Sequence, residues 1–190
     1  MYRVREYVCP DSVEECARLL KNNRRSRLIG GNLFLRMTSM EIPLAIDLSG
    51  CGLEGIRQKA DGTLRIGAMT SLRSAETNPL LQTYAGGILS RALGEIVGVQ
   101  FRNLATVGGS IFGRFGFSDV LTLLLALDCD VELYKGGIMS IQEFVKLKRD
   151  NDILVHIIIK KTPVHVCYQS VRNTVTDFPT LNLTAVSLAD

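Results

Sequence analysis

Apolar and polar positions along this chain follow two rhythms, a period near 3.6 and a period of 2, and the changes between them mark the elements. Arg3 to Tyr7 reads as a short strand. Pro10-Asp11-Ser12 opens a helix, with Ser12 and Glu15 as a capping-box pair and Val13, Cys16, Ala17, Leu19 and Leu20 on one face. Arg27 to Ile29 is a short strand closed by Gly30-Gly31, and Asn32 reads as the N-cap of a brief helix through Met37. Leu44 to Leu48 has the pattern of a buried strand. Ile56 to Ala60 and Thr63 to Gly67 flank Asp61-Gly62, a hairpin turn.

In the second half, Ser71 to Glu76 and Leu80 to Val97 are predicted mainly helical, the latter weakened by Gly86, Gly87 and Gly94. Gly98 to Gly116 reads as irregular, and a loop that long within a compact domain points to function. Ser118 or Asp119 is placed to cap an apolar helix, Val120 to Leu127. Val131 to Leu133 and Ile138 to Ile141 bracket a turn at Lys135-Gly136-Gly137. Ile153 to Ile159 and Val164 to Tyr168 are dense in β-branched residues and read as strands. Leu181 to Leu188 nearly alternates and reads as a strand with little following sequence to pair with. The mixture predicts an α+β (mixed α/β) fold, and the hairpins exclude a purely parallel sheet.

Composition narrows the class. The chain has 190 residues, 46% hydrophobic and 22% charged, which fits one domain or one domain plus part of another. The net charge of +3 is small, and Lys21, Arg24, Arg25 and Arg27 cluster beside a helix end, where cations favour the dipole. With no set of base-stacking aromatics, nucleic acid is not an expected partner. The longest apolar stretch, Val120 to Leu127, falls well short of the roughly 20 residues of a membrane span. Met1 to Cys9 carries charges and no apolar signal core. Cys9, Cys16, Cys51, Cys129 and Cys167 are odd in number without C-x-x-C spacing, so free thiols in a reducing cytoplasm are expected, with no zinc or iron–sulfur site on this chain. His156 and His165 are the only histidines, and no nucleophile–base or paired-carboxylate pattern is visible.

Two glycine pairs carry the candidate chemistry, Gly30-Gly31 and Gly108-Gly109. Each precedes a potential helix. Glycine lets the backbone approach a ligand closely and offer its N–H groups, and two such bends facing each other suit a pyrophosphate. Neither matches G-x-G-x-x-G, since Ser110 stands at the second required glycine, and no P-loop run is present.

Three blocks give the pairs a context. Leu28-Ile29-Gly30-Gly31-Asn32-Leu33 is similar to A-G-G-T-D-L. Gln100 to Ile111, QFRNLATVGGSI, is similar to Q-I-R-N-x-A-T-I-G-G-N-I. Ser118-Asp119 followed by Leu123-Leu124-Leu125-Ala126-Leu127-Asp128 is similar to D-x-x-P-x-L-L-A-L-D. In this order and spacing they resemble the FAD-binding (medium) subunit of molybdenum hydroxylases of the xanthine dehydrogenase and carbon monoxide dehydrogenase type. The resemblance implies a two-lobed FAD-binding PCMH-type domain over 1–163, with lobes of about 1–53 and 54–163, and the beginning of a truncated C-terminal flavoprotein domain at 164–190. It implies FAD contacts from Arg27, Leu28, Ile29, Gly30, Gly31, Asn32 and Leu33, and from Thr106, Gly108, Gly109 and Ser110 around the pyrophosphate. Asp119 would meet sugar-type hydroxyls, Ile153 or Leu154 the adenosine part, and Gln169 the position near the flavin where the family carries lysine. Further departures are Asn32-Leu33 for Thr-Asp and Ser110 for Asn. The implied function is an electron relay. A molybdopterin-binding subunit oxidises the substrate, a [2Fe-2S] subunit passes electrons to this FAD, and NAD+ or another acceptor takes them. The alternative is a degenerate, cofactor-free interaction subunit of such a complex.

Overall fold

The computed structural model describes residues 2–23, 25–148, 152–162 and 164–188. Arg24 of the basic cluster lies outside the described residues. The first unit is a three-stranded parallel sheet in the order β1-β3-β2, formed by β1 (Arg3–Val8), β2 (Arg27–Ile29) and β3 (Glu41–Asp47). Helix α1 (Val13–Asn22) crosses from β1 to β2. Ser12 caps it by accepting from Glu15 N at 3.3 Å, and Cys16, Ala17 and Leu20 face inward against Leu44 and Ile46. The predicted Asn32 cap does not form. Asn32 sits in the left-handed region at φ 59°, and only a single 3-10 turn, Leu35–Met37, follows.

The second unit is a five-stranded antiparallel sheet in the order β4-β5-β8-β6-β7. Its strands are β4 (Ile56–Gln58), β5 (Leu64–Gly67), β6 (Cys129–Leu133), β7 (Gly137–Ser140) and β8 (Leu154–Ile159). β4 and β5 form the hairpin expected at Asp61-Gly62, with Gly62 at φ 85° supplying the positive φ that the turn needs. Along β6, Cys129, Val131 and Leu133 point to the core while Asp130 and Glu132 point outward, the period-2 signature of a one-sided sheet. The inner face is covered by helices α2 to α7, which fill the connection from β5 to β6.

Those helices are α2 (Leu72–Glu76), α3 (Pro79–Thr83), α4 (Ile88–Gly94), α5 (Val99–Leu104), α6 (Val107–Phe112) and α7 (Asp119–Ala126); α8 (Ile141–Lys146) follows β7. Two expectations are corrected here. The stretch 80–97 is broken, because Ala85, Gly86 and Gly87 take positive φ between α3 and α4. The stretch 98–116 holds two short helices rather than an irregular loop. Tertiary bonds secure the joint between them: Leu72 N donates to Ala105 O (2.8 Å) and Val107 N to Thr70 O (2.9 Å). Ser118, not Asp119, caps α7, and Asp119 occupies its first turn.

The last two strands, β9 (Val164–Val171) and β10 (Leu181–Leu188), pair with each other in antiparallel register from Val164↔Leu188 to Val171↔Leu181. The final strand therefore finds its partner just upstream. The main core lies between the five-stranded sheet and the helices, with Leu72, Leu123, Leu124, Ile157 and Phe144 almost wholly buried. Ile153 and Met69 belong instead to the smaller core under the parallel sheet and join the two units.

Candidate functional site

The Gly30-Gly31 bend leaves the end of β2 and runs against the joint between α5 and α6. A Cβ on Gly31 would lie 2.5 Å from the Leu104 carbonyl carbon and closer still to its oxygen; one on Gly30 would lie 3.0 Å from Thr106 Oγ1. Gly31 has no room for a side chain and Gly30 is tight against the Thr106 hydroxyl, so the bends converge because position 31 is glycine. Among the described residues, no acceptor takes the N–H groups of Gly30, Gly31, Asn32 or Leu33. Four successive amides without protein partners are available to an anion, since an unpaired N–H beside a cavity is satisfied best by a ligand oxygen.

The second bend is built differently. Thr106 accepts from Gly109 N at 3.1 Å and caps α6, Gly108 N donates to Ala68 O (2.8 Å), and Ser110 N donates to Thr106 O (3.1 Å). Its amides are committed to the fold. What it offers the cavity is its closeness and the Thr106 hydroxyl, since the Ser110 hydroxyl already donates to Thr106 O at 3.0 Å. Gly108 itself packs against Ala68, where a Cβ would lie 2.7 Å from the Ala68 Cβ.

The bends border a cavity of about 670 Å³, within the size range of small-molecule and cofactor sites. Of the residues proposed from sequence, Arg27, Leu28, Gly30, Gly31, Asn32, Leu33, Thr106, Gly109, Ser110 and Asp119 line it. Ile29 and Gly108 lie behind the wall, Ile153 and Leu154 are core residues, and Gln169 is exposed on β9 away from the cavity.

Sequence reading missed three features of the wall. The first is a cation. Arg172 Nη2 pairs with Asp119 Oδ1 at 2.6 Å, both side chains being less than a tenth exposed, and its Nη1 reaches Asp177 O at 2.9 Å. Tyr168 also donates to Asp119, and burial first, then that hydrogen bond, pushes its phenol up. So the cation at the cavity is Arg172, paired with Asp119, rather than a residue at position 169. The second is an aromatic series. Phe34, Phe115, Phe117 and Phe178 run across one side of the cavity with centroid spacings of 4.3, 5.1 and 4.7 Å, Phe115 and Phe117 almost parallel. The third is backbone strain at Val97, a β-branched residue at φ 46° on the wall. The phenylalanines were visible as residues, but nothing local joins position 34 to 178.

Comparison with known proteins decides the family. Residues 2–162 match the model of the FAD binding domain in molybdopterin dehydrogenase. The chain belongs to this family. FAD is accordingly its cofactor, and the pocket of free amides between two glycine bends fits a dinucleotide diphosphate. This flavin domain is 31% identical over 168 residues to the uncharacterized protein YgfM of Escherichia coli strain K12, covering 86% of the chain and 62% of that relative. It is 33% identical over 132 residues to the 6-hydroxypseudooxynicotine dehydrogenase complex subunit alpha of Paenarthrobacter nicotinovorans, covering 66% of the chain and 44% of that subunit. In fold it matches carbon monoxide dehydrogenase from Hydrogenophaga pseudoflava, in a form lacking the Mo-pyranopterin moiety of the molybdenum cofactor, with a TM-score of 0.87 at 25% identity, covering 97% of the chain and 69% of that structure's chain. The chain thus spans about three-fifths of the length of the YgfM relative and less than half of the nicotinovorans subunit. No helix among the described residues is long and apolar enough to cross a membrane.

Proposed function

We propose that this chain is the flavin-carrying subunit of a cytoplasmic molybdenum hydroxylase complex, relaying electrons from iron–sulfur clusters on one partner chain, fed by a molybdopterin-bearing partner, to NAD+ or another acceptor. The observation that carries the reading is the run of four unpartnered amides, Gly30 to Leu33, held against Thr106 on the wall of the cavity. Bound FAD supplies the one- and two-electron chemistry, and the protein supplies position and electrostatics. The N–H groups of Gly30 and Gly31 would hold the diphosphate oxygens, and Arg27, on the same wall, would add positive charge. The Thr106 hydroxyl accepts from Gly109 N and keeps its own proton to donate. Asp119 holds Arg172 in place and leaves its second carboxylate oxygen for a sugar hydroxyl. The phenylalanine series supplies flat apolar surface for a ring system and excludes water from it. In this reading the other redox centres belong to partner chains.

The test is spectroscopic. The purified chain, titrated with FAD, should acquire the absorbance bands of a bound flavin and retain them through gel filtration, and tagged chain should recover chains that carry molybdenum and iron. A chain that stays colourless with excess FAD while still recovering those partners would establish the cofactor-free interaction subunit instead.

A further inference from the structure

Three thiols meet where β1, α1 and the turn Ser49–Cys51 come together. Exposed Cys9 has its Sγ 3.4 Å from Ser49 Oγ. Cys16, on the inner face of α1, is wholly buried, and its Sγ lies 3.4 Å from that of half-buried Cys51. Cys51 Sγ also approaches Pro10 O at 3.7 Å. Two sulfurs in van der Waals contact, one closed off and one reachable from solvent, need to move little more than an ångström to reach the ~2.05 Å of a disulfide. We propose that Cys16 and Cys51 form a site of reversible oxidation by peroxides, and that the bond they make clamps the segment carrying the Gly30-Gly31 bend. Nothing in this rests on the assignment of the cavity to FAD.

The chemistry balances in two steps. The sulfur of Cys51, the reachable member, attacks one oxygen of hydrogen peroxide. The O–O bond breaks, the second oxygen leaves as hydroxide and takes up the thiol proton as water, and Cys51 becomes a sulfenic acid. The sulfur of Cys16 then attacks the sulfur of Cys51. The S–O bond breaks, and hydroxide leaves with the proton of Cys16 as a second water. Two thiols lose two electrons to one peroxide. Burial pushes the Cys16 thiol up to about 12 and raises that of Cys51 as well, so the first step is slow at neutral pH and answers sustained rather than passing oxidant. Cys9, whose Sγ rests against a hydroxyl, serves as the internal control.

The two cysteines stand 35 positions apart, and the chain between them contains β2, the glycine bend and β3. Closing a ring of that size restricts the unfolded chain and should raise the thermal midpoint by about 10 °C. The experiment uses the full chain. Purified protein is treated with hydrogen peroxide, the remaining thiols are alkylated under denaturing conditions, and unreduced peptides are mapped beside a thermal melt. The expected result is a cross-linked pair of peptides holding Cys16 and Cys51, and a raised midpoint that dithiothreitol reverses. Both should survive in Cys9→Ser and vanish in Cys51→Ser. Linkage of Cys51 to Cys9, arrest of Cys51 at sulfinic acid, or full alkylation of Cys16 after peroxide would each overturn the proposal, as would an equal rise in midpoint for Cys51→Ser.

Discussion

Adding one methyl group at Gly31 tests whether the two bends must touch. The new Cβ would stand 2.5 Å from the Leu104 carbonyl carbon and 3.1 Å from Ala105 Cα. Carbon atoms need roughly 3.5 Å, so the backbones must part by about 1 Å or more. Both contacts are main chain, and no rotamer change relieves them. Overpacking of this kind costs about 1–3 kcal/mol, and the rigid partner puts Gly31→Ala at the upper end. The displaced bend also moves the free amides away from Thr106, and loss of two neutral-to-charged hydrogen bonds at ~1.5 kcal/mol each corresponds to more than a hundredfold weaker FAD binding. Urea denaturation and FAD titration followed by visible absorbance read the two effects separately. Gly116→Ala is the control, since a Cβ there meets nothing within 4 Å at a backbone conformation open to any residue. A Gly31→Ala chain that matches Gly116→Ala in both urea midpoint and FAD affinity would refute the claim that contact between the bends shapes the site.

Replacing Arg172 with Ala leaves the Asp119 carboxylate buried without its cation and should cost about 3 kcal/mol; a double-mutant cycle in urea with Asp119→Asn should return a coupling energy above ~1 kcal/mol. Thr106→Val keeps the shape but removes the cap on Gly109 N, with an expected loss of ~1 kcal/mol in urea and a weaker flavin complex by absorbance titration. Burial raises the Glu76 carboxyl, but hydrogen bonds from Arg102 and Arg73 outweigh it and hold the group below its usual 4.5. Its folded value is the depressed one, so its stabilisation is complete above 4.5 and is lost as pH falls through the folded value. Urea midpoints measured as the pH is lowered from 4.5 should therefore fall more steeply for the native chain than for Glu76→Gln.

Much of the architecture could be read from local pattern. The β-branched run of β8 and the Asp61-Gly62 hairpin depend on near neighbours, and each stands where the pattern puts it; β6, read as Val131 to Leu133, begins earlier, at Cys129. Helices α5 and α6 were hidden because each is six residues long, too short to show a periodic face, and their joint is secured by Thr70 and Leu72 from far upstream. The same division runs through the cavity. The glycine pairs announce themselves, and at Gly31 and Gly108 close backbone approach excludes every other residue. Ile153 and Leu154 look alike whether they face a ligand or a core, and they face the core. Arg172 gave no sign, because its partner Asp119 lies 53 positions earlier. Asn32, read as a helix cap, takes a left-handed conformation that asparagine tolerates better than most residues, with its side chain turned to Tyr2.

The cavity draws its wall from positions near 30, 110 and 178, which belong to the parallel sheet, the helical layer and the last hairpin. Such a vessel has no early form. While the chain is being synthesised, the amides of Gly30 to Leu33 exist long before Phe178 has left the ribosome, and nothing yet encloses them. Loading of the flavin must then follow folding rather than seed it, and cells short of riboflavin should accumulate folded, empty protein rather than debris.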